Sequence, residues 1–437
     1  MSANAMSKQP AENLIRTVGF WGLVAMCINA VVGSGVFLLP TESYKLLGPF
    51  SLWAPLLFAV PVFILVLCFA EASSHFSEPG GAFLYAKTAF GDFVGFETGW
   101  MNWIARLTSL ASLSNGFVVS LARLHEPLGR GAARATIILG TLLILGAIHY
   151  VGVKYGAASI YVFTFGKLVP LVGFIVVALI AWRHNPIPAS LTLPGPGTHW
   201  NEAALFMLFA YAGFENMGVP AGEFKNPRRD LPRALLVGTL AIAAIYVLAQ
   251  LGAMATIPDL SKSATPIADA AAALIGPIGA FLVTLGALLS MAGTNSGTVL
   301  EGSRMLFALS LDRRMGPVSR VNSKFHTPTV AIVIHVCVAA VLALAGSFAQ
   351  LAMLSAVARL STYLFTCAGI PFIRKKLAGD ISVRVIILGI LGTLISLTLF
   401  LTLNKFNFIA AAIAVVLGAL VYVVSRPTRV VAPPLSS

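Results

Sequence analysis

Charge is what this sequence has least of. Of its 437 residues only 16 are acidic, and charged residues of both signs make up 10%, against about 25% in an ordinary soluble domain. A water-soluble protein with 58% hydrophobic residues could not hide that much apolar surface in one core. Cysteine is scarce as well. Cys27, Cys68, Cys337 and Cys367 all sit in apolar runs without metal-ligand spacing, so they read as small core hydrophobes and no metal is expected. There is no HExxH, no GxSxG and no pair of aspartates. An enzyme buried in a membrane would need such a nucleophile–base or metal set at one depth, so no catalytic residue and no cofactor are expected. No stretch reads as a soluble signalling domain, which argues against a sensor or a channel. The net charge of +13 is spread through short loops rather than gathered on one face, which excludes nucleic acid as a partner.

What the chain does have is apolar runs of membrane-spanning length. Twelve segments are expected, at roughly 18–40, 50–74, 89–120, 133–151, 159–182, 200–224, 233–255, 278–310, 327–345, 349–373, 383–403 and 406–425. The first leads straight into an unusual glycine-rich string, so it is read as part of the mature chain and not as a cleaved signal peptide. Lysines and arginines between segments are unevenly shared: nineteen fall on the side of the N-terminus and seven on the other, with Arg106, Lys167 and Arg359 inside segments. By the positive-inside bias both termini are cytoplasmic, in an inner (plasma) membrane. The domain reading is a cytoplasmic N-terminal tail (1–15), a ten-helix core (16–373, with halves at about 16–182 and 200–373), two peripheral helices (383–425) and a cytoplasmic C-terminal tail (426–437).

Two segments are interrupted. Segment 1 carries Gly33-Ser34-Gly35 followed by Val36-Phe37-Leu38-Leu39-Pro40. Glycines weaken a helix, and backbone groups freed at membrane depth need a partner that lipid cannot supply. A polar ligand can supply it, since the second half-helix offers free N–H groups and a positive dipole end to an anion. Small residues in that string can equally make a helix-packing surface. Segment 6 carries Phe209-Ala210-Tyr211-Ala212-Gly213-Phe214-Glu215-Asn216, then Val219-Pro220-Ala221-Gly222. Segments 1 and 6 each open a half of five. Interrupted helices in matching positions point to an inverted-repeat transporter with a site near the midplane.

At these residues the chain resembles the amino acid–polyamine–organocation (APC) superfamily. The string GSGVFLLP (Gly33 to Pro40) resembles the segment that holds the substrate carboxylate there. GFENMGVPAGEFKNPRRDLPRAL (Gly213 to Leu235) is similar to its sixth helix and the loop that follows, with KNPRRDLP the most specific part. Glu78 to Tyr85 (EPGGAFLY) and Gly302-Ser303-Arg304 through Asp312 are further matches, so the resemblance covers most of residues 15–375. It implies an all-α integral membrane protein with about twelve transmembrane helices. The implied architecture is a LeuT-type 5+5 inverted repeat, with helices 1 and 6 discontinuous and two peripheral helices added. It also implies that Gly33, Ser34 and Gly35 bind the substrate carboxylate, and that carbonyls of Val31, Phe209 and Ala212 accept from its ammonium. Phe209 would act as an aromatic lid. A zwitterion suits both ends, because N–H groups favour an anion and unwound carbonyls a cation.

Intramembrane ionisable residues are functional candidates by default. Lys167 has two readings. In sodium-independent relatives a lysine here stands where sodium-coupled ones hold the ion, which makes Lys167 a proton-coupling candidate; or it only braces neighbouring helices. Glu215, just past the second break, either senses protons or contacts a cationic side chain, or else is a carboxylate tied to unwound backbone. Glu71, Glu301, Arg106 and Arg359 read as paired elements of the fold or gate. His149 and His335 read as hydrogen-bonded packing residues. The side-chain wall is expected from Ser109, Ser112, Thr294, Asn295 and Thr298. Gly297 is aligned with a tryptophan of the arginine/agmatine antiporters, a departure that implies a roomier pocket. The expectation is a sodium-independent, proton-coupled secondary transporter of amino acids, neutral ones favoured, with amino acid substrate, protons and lipid as its partners. The alternative is an amino acid/amine antiporter or exporter, cationic amino acids included.

Overall fold

The computed structural model describes residues 18–77, 80–152, 156–184, 198–219, 221, 224–313 and 315–425. Both expected tails, and Glu78-Pro79, Pro220 and Gly222-Glu223 of the quoted strings, lie outside the described residues. Among the described residues there is no strand, only one bridge between Val18 and Phe224. Fourteen α-helices follow in order: α1 (Phe20–Val31), α2 (Gly35–Leu47), α3 (Ala54–Ser74), α4 (Gly81–Phe90), α5 (Asp92–Ala122), α6 (Gly131–Val151), α7 (Gly156–His184), α8 (Trp200–Tyr211), α9 (Pro227–Thr256), α10 (Pro266–Arg313), α11 (Thr329–Ala345), α12 (Phe348–Ala378), α13 (Val383–Leu401) and α14 (Lys405–Val424). An all-helical answer is what apolar surroundings demand, since a helix satisfies its own backbone.

Nine of these helices are long and apolar enough to cross a membrane, and a tenth span arises if α1 and α2, which meet at a 45° bend, count as one. The expected segments 6 and 9 fall short. The α8 helix stops after 12 residues at its break, and α11 has 17. Other boundaries also move. Segment 3 divides at Gly91 (φ 95°) into α4 and α5. Segment 8 lies in α10, which starts earlier and kinks at Ile275–Gly276, just before Pro277.

Burial sorts the helices into a centre and a rim. In α5 and α12, 78% and 72% of the span is buried within the protein, against 17% in both α6 and α14. The exposed apolar side chains of the rim helices, such as Leu143, Ile413 and Val423, form a lipid-compatible surface. Connections gather on two faces. One holds the start of α1, the α3–α4 turn and the end of α10; we call it the N-terminal face. The opposite face holds the α2–α3, α5–α6 and α11–α12 connections. There Thr41 donates to the Ser263 carbonyl at 2.7 Å and Arg123 pairs with Asp269 at 2.7 Å.

Candidate functional site

The first break is built by Val32, Gly33 and Ser34. Val32 leaves helical geometry (φ −73°, ψ 87°), and Ser34 starts α2 with no side-chain cap. The N–H groups at the start of α2 therefore have no intrahelical acceptor. The Ser34 hydroxyl is buried without a hydrogen-bond partner. Gly35 lets α2 meet α8 backbone to backbone: a Cβ there would lie 3.0 Å from the Ala210 Cα.

The second break faces the first. Ala212 is extended (ψ 149°), and Gly213 adopts φ 133° before a 3-10 turn at Phe214–Asn216. Only glycine fits, because that φ strains any L side chain and a Cβ would sit 2.6 Å from the Ala30 carbonyl oxygen. Tyr246 ties the two breaks together, its hydroxyl donating to Ala210 O (2.7 Å) and Val31 O (3.3 Å).

Carbonyls freed at the end of α1 are taken up from outside the helix. Lys167, fully buried on α7, donates to Val32 O (2.7 Å) and Asn29 O (3.0 Å). Ser290 on α10 donates to Val32 O and Gly33 O, both at 3.0 Å. The ammonium gives these carbonyls a partner in place of the backbone donors that unwinding removed.

Behind the breaks lies a buried ionic cluster. Glu215 accepts from Arg106 Nη2 at 2.5 Å and from Arg359 Nε at 2.8 Å. It also accepts from the Gly213 N–H at 2.8 Å and the Tyr363 hydroxyl at 3.3 Å. Arg106 reaches Glu301 with its other nitrogen at 3.1 Å, and the Asn216 carboxamide lies against the same guanidinium. Arg359 donates on to Ser109 (2.9 Å) and to Ser355. Two arginines and two carboxylates leave no charge alone, as burial requires. Glu71 is not part of this cluster. It pairs with Arg374 at 3.1 Å and His75 at 3.3 Å near the N-terminal face, so Arg106 and Arg359, the partners considered from sequence, belong to Glu215 and Glu301. His149 bonds Ser296 at 3.0 Å and His335 accepts from Trp103 at 3.1 Å.

Between the breaks is a cavity of only about 20 Å³, room for about one water. Its walls are Ala30, Val31, Gly33, Ser34 and Gly35; Phe209, Ala210 and Ala212; Arg106, Ser109 and Leu113; Thr294 and Thr298; and Arg359. Val31, Gly33, Ser34, Gly35, Phe209 and Ala212 thus come together as the sequence suggests. Glu215 stands one layer back, behind its arginines. Asn295 and Gly297 do not reach the cavity. Ser290, bonded to the α1 break, fixes the rotation of α10. Residues four apart share a helix face, so Thr294 and Thr298 point inward. Asn295 is turned away, its amide 3.4 Å from Ser114, and a Cβ at Gly297 would meet open space. Ser112 donates instead to Phe348 O at 2.8 Å. What sequence reasoning missed is that Arg106 and Arg359 are cavity wall. Their spacing from Ser109 (i, i+3) and Ser355 (i, i+4) was the available signal.

The cavity is closed unequally. Toward the opposite face, Phe209 meets Phe348 edge-on at 6.3 Å, and beyond that pair a vestibule of about 800 Å³ opens between Asn115, Arg123, Arg134, Asp269 and Gln350. Toward the N-terminal face, Phe69, Phe214 and Tyr363 pack ring on ring at 5.4–5.7 Å. Further out, Lys87 pairs with Asp312 at 2.5 Å and Asp92 at 3.2 Å. Partial burial disfavours the Lys87 ammonium, but hydrogen bonds and attraction from Asp312 and then Asp92 outweigh it and hold its pKa above the usual lysine value.

Known proteins resemble this chain along most of its length. The amino acid permease family matches residues 18–426. The serine/threonine exchanger SteT of Bacillus subtilis is 28% identical over 381 residues, which cover 84% of this chain and 86% of that protein. An uncharacterized transporter of Mycobacterium tuberculosis is 29% identical over 364 residues, 77% of this chain and 75% of that one. These relatives are transporters, not enzymes. Together with the long apolar helices, they identify the chain as a multi-pass membrane protein that belongs to the amino acid permease family.

Proposed function

We propose that this protein is a secondary transporter that moves amino acids by alternating access around the cavity between the α1–α2 and α8 breaks. The observation that carries this reading is the pairing of an uncapped helix start and an orphaned Ser34 hydroxyl with facing unwound carbonyls. N–H groups receive the carboxylate and carbonyls the ammonium. The 5+5 inverted repeat, twelve spans and cytoplasmic N-terminal face in an inner membrane belong to the same reading. The family match and the lysine–arginine bias support them. The relative named a serine/threonine exchanger supports a second reading, exchange of small neutral amino acids. Lys167, seated on the α1 carbonyls, makes the site sodium-independent and is the proton-coupling candidate.

The test is uptake of a labelled amino acid panel into proteoliposomes under an inward proton gradient, an inward sodium gradient, or neither. Proton-driven uptake indifferent to sodium is expected. Uptake that requires internal amino acid makes the protein an exchanger and reduces Lys167 to a brace. Sodium-driven uptake contradicts the role given to Lys167, and no flux of any amino acid contradicts the substrate class.

A further inference from the structure

Resting on the amino acid site proposed above, we infer that Arg106 and Arg359 form a side-chain subsite for a carboxylate, so that the preferred substrates are acidic amino acids. Three observations converge. First, Arg106 and Arg359 line the cavity while their carboxylate partners Glu215 and Glu301 do not. Second, Arg359 uses its N–H groups on Glu215, Ser355 and Ser109. A guanidinium carries five N–H donors, which leaves one on each terminal nitrogen for a further acceptor. Third, the charges around the site do not cancel. Arg106 and Arg359 balance Glu215 and Glu301, and the Lys167 ammonium, bonded to the α1-break carbonyls, adds one positive charge to the neighbourhood. A zwitterion leaves that excess in place; an amino acid with one further carboxylate cancels it. The vestibule repeats the bias, with Arg123, Arg130 and Arg134 against Glu126 and Asp269, a field that draws anions inward.

The geometry also divides the labour. The substrate's α-carboxylate goes to the Ser34–Gly35 end, opposite the arginines, and its side-chain carboxylate goes to the arginine end. Glu215 then acts as a positioning residue that holds the two guanidiniums in place.

The experiment is counterflow in proteoliposomes loaded with unlabelled aspartate, glutamate, serine, alanine or lysine, followed with labelled glutamate and labelled serine. The expected result is that aspartate or glutamate drives exchange best. Arg359→Gln is then expected to raise the KM for glutamate roughly tenfold or more beyond any change in the KM for serine, as loss of a charge-assisted pair does; Arg359→Lys is expected to recover part of the glutamate affinity. If wild-type protein exchanges serine or alanine and a large excess of glutamate does not compete, the acidic subsite is wrong and the amino acid site stands. If no amino acid of any class exchanges, the underlying site is wrong too. The wild-type panel decides between these whether or not the arginine variants fold.

Discussion

The two sides of the cavity are closed to different depths. Toward the opposite face a single aromatic pair, Phe209 and Phe348, separates about 20 Å³ of enclosed space from a vestibule of about 800 Å³. Toward the N-terminal face stand an aromatic layer, the bonds from α4 to the end of α10, and the Val18–Phe224 bridge. A thin closure needs two rings to part; a thick one needs helices to move. The molecule is therefore held in a state that opens to the vestibule first. Transport in either direction then depends on loosening the thick side, where the 3-10 turn after α8 meets α12 through Glu215 and Tyr363.

That comparison is broken most severely at Glu215. Glu215→Gln removes the charge that two buried arginines share, and a broken buried pair costs about 3–5 kcal/mol. Uptake is expected to fall to background and the detergent-solubilised protein to melt well below wild type; a wild-type melting curve would mean the cluster is not holding the closures. A sharper, smaller effect is expected at Lys167. Lys167→Met keeps the fold's apolar volume but deprives Val32 and Asn29 of their donor. Flux should lose its response to the proton gradient while residual exchange persists, which is checked by comparing uptake with and without the gradient. Phe348→Ala thins the thin side further. An aromatic pair contributes about 0.5–1.5 kcal/mol, so apparent affinity should drop roughly 2- to 12-fold with maximal rate preserved or raised, read from concentration-dependent uptake. The smallest effect belongs to the vestibule rim. Arg123 and Asp269 are each about a third exposed, and such pairs contribute about 0.2–1 kcal/mol. Arg123→Ala should change uptake less than about fivefold, and less still at high salt.

Much of this was legible in the sequence because it is written locally. The GSG string and Ala212-Gly213 mark their own breaks, and the apolar runs mark their own helices. Lys167 announces itself as a charge in an apolar run. What was hidden depends on helix rotation and on pairing across the bundle. Sequence offers Asn295 and Thr294 as equal neighbours; only Ser290, anchored on the α1 carbonyls, turns Thr294 inward and Asn295 away. Likewise Arg106, Arg359, Glu71 and Glu301 read as four unassigned charges. Their partners are fixed by distances between helices more than a hundred residues apart in the chain. The kink at Gly276 and the division at Gly91 were missed because each sits beside a run apolar enough to hide it.

The central claim is that the enclosed space at the two breaks is where substrate sits, reached first from the vestibule. Ser34→Cys in a Cys337→Ser background tests it most directly, because Cys337 is the one exposed native thiol among the described residues. The measurement is the alkylation rate by a membrane-impermeant thiol reagent applied to each side of the membrane, with and without amino acid. The account predicts slow labelling from the vestibule side, faster labelling in Phe348→Ala, and protection by a transported amino acid. Labelling from the N-terminal face alone, or labelling that no amino acid slows, would contradict it.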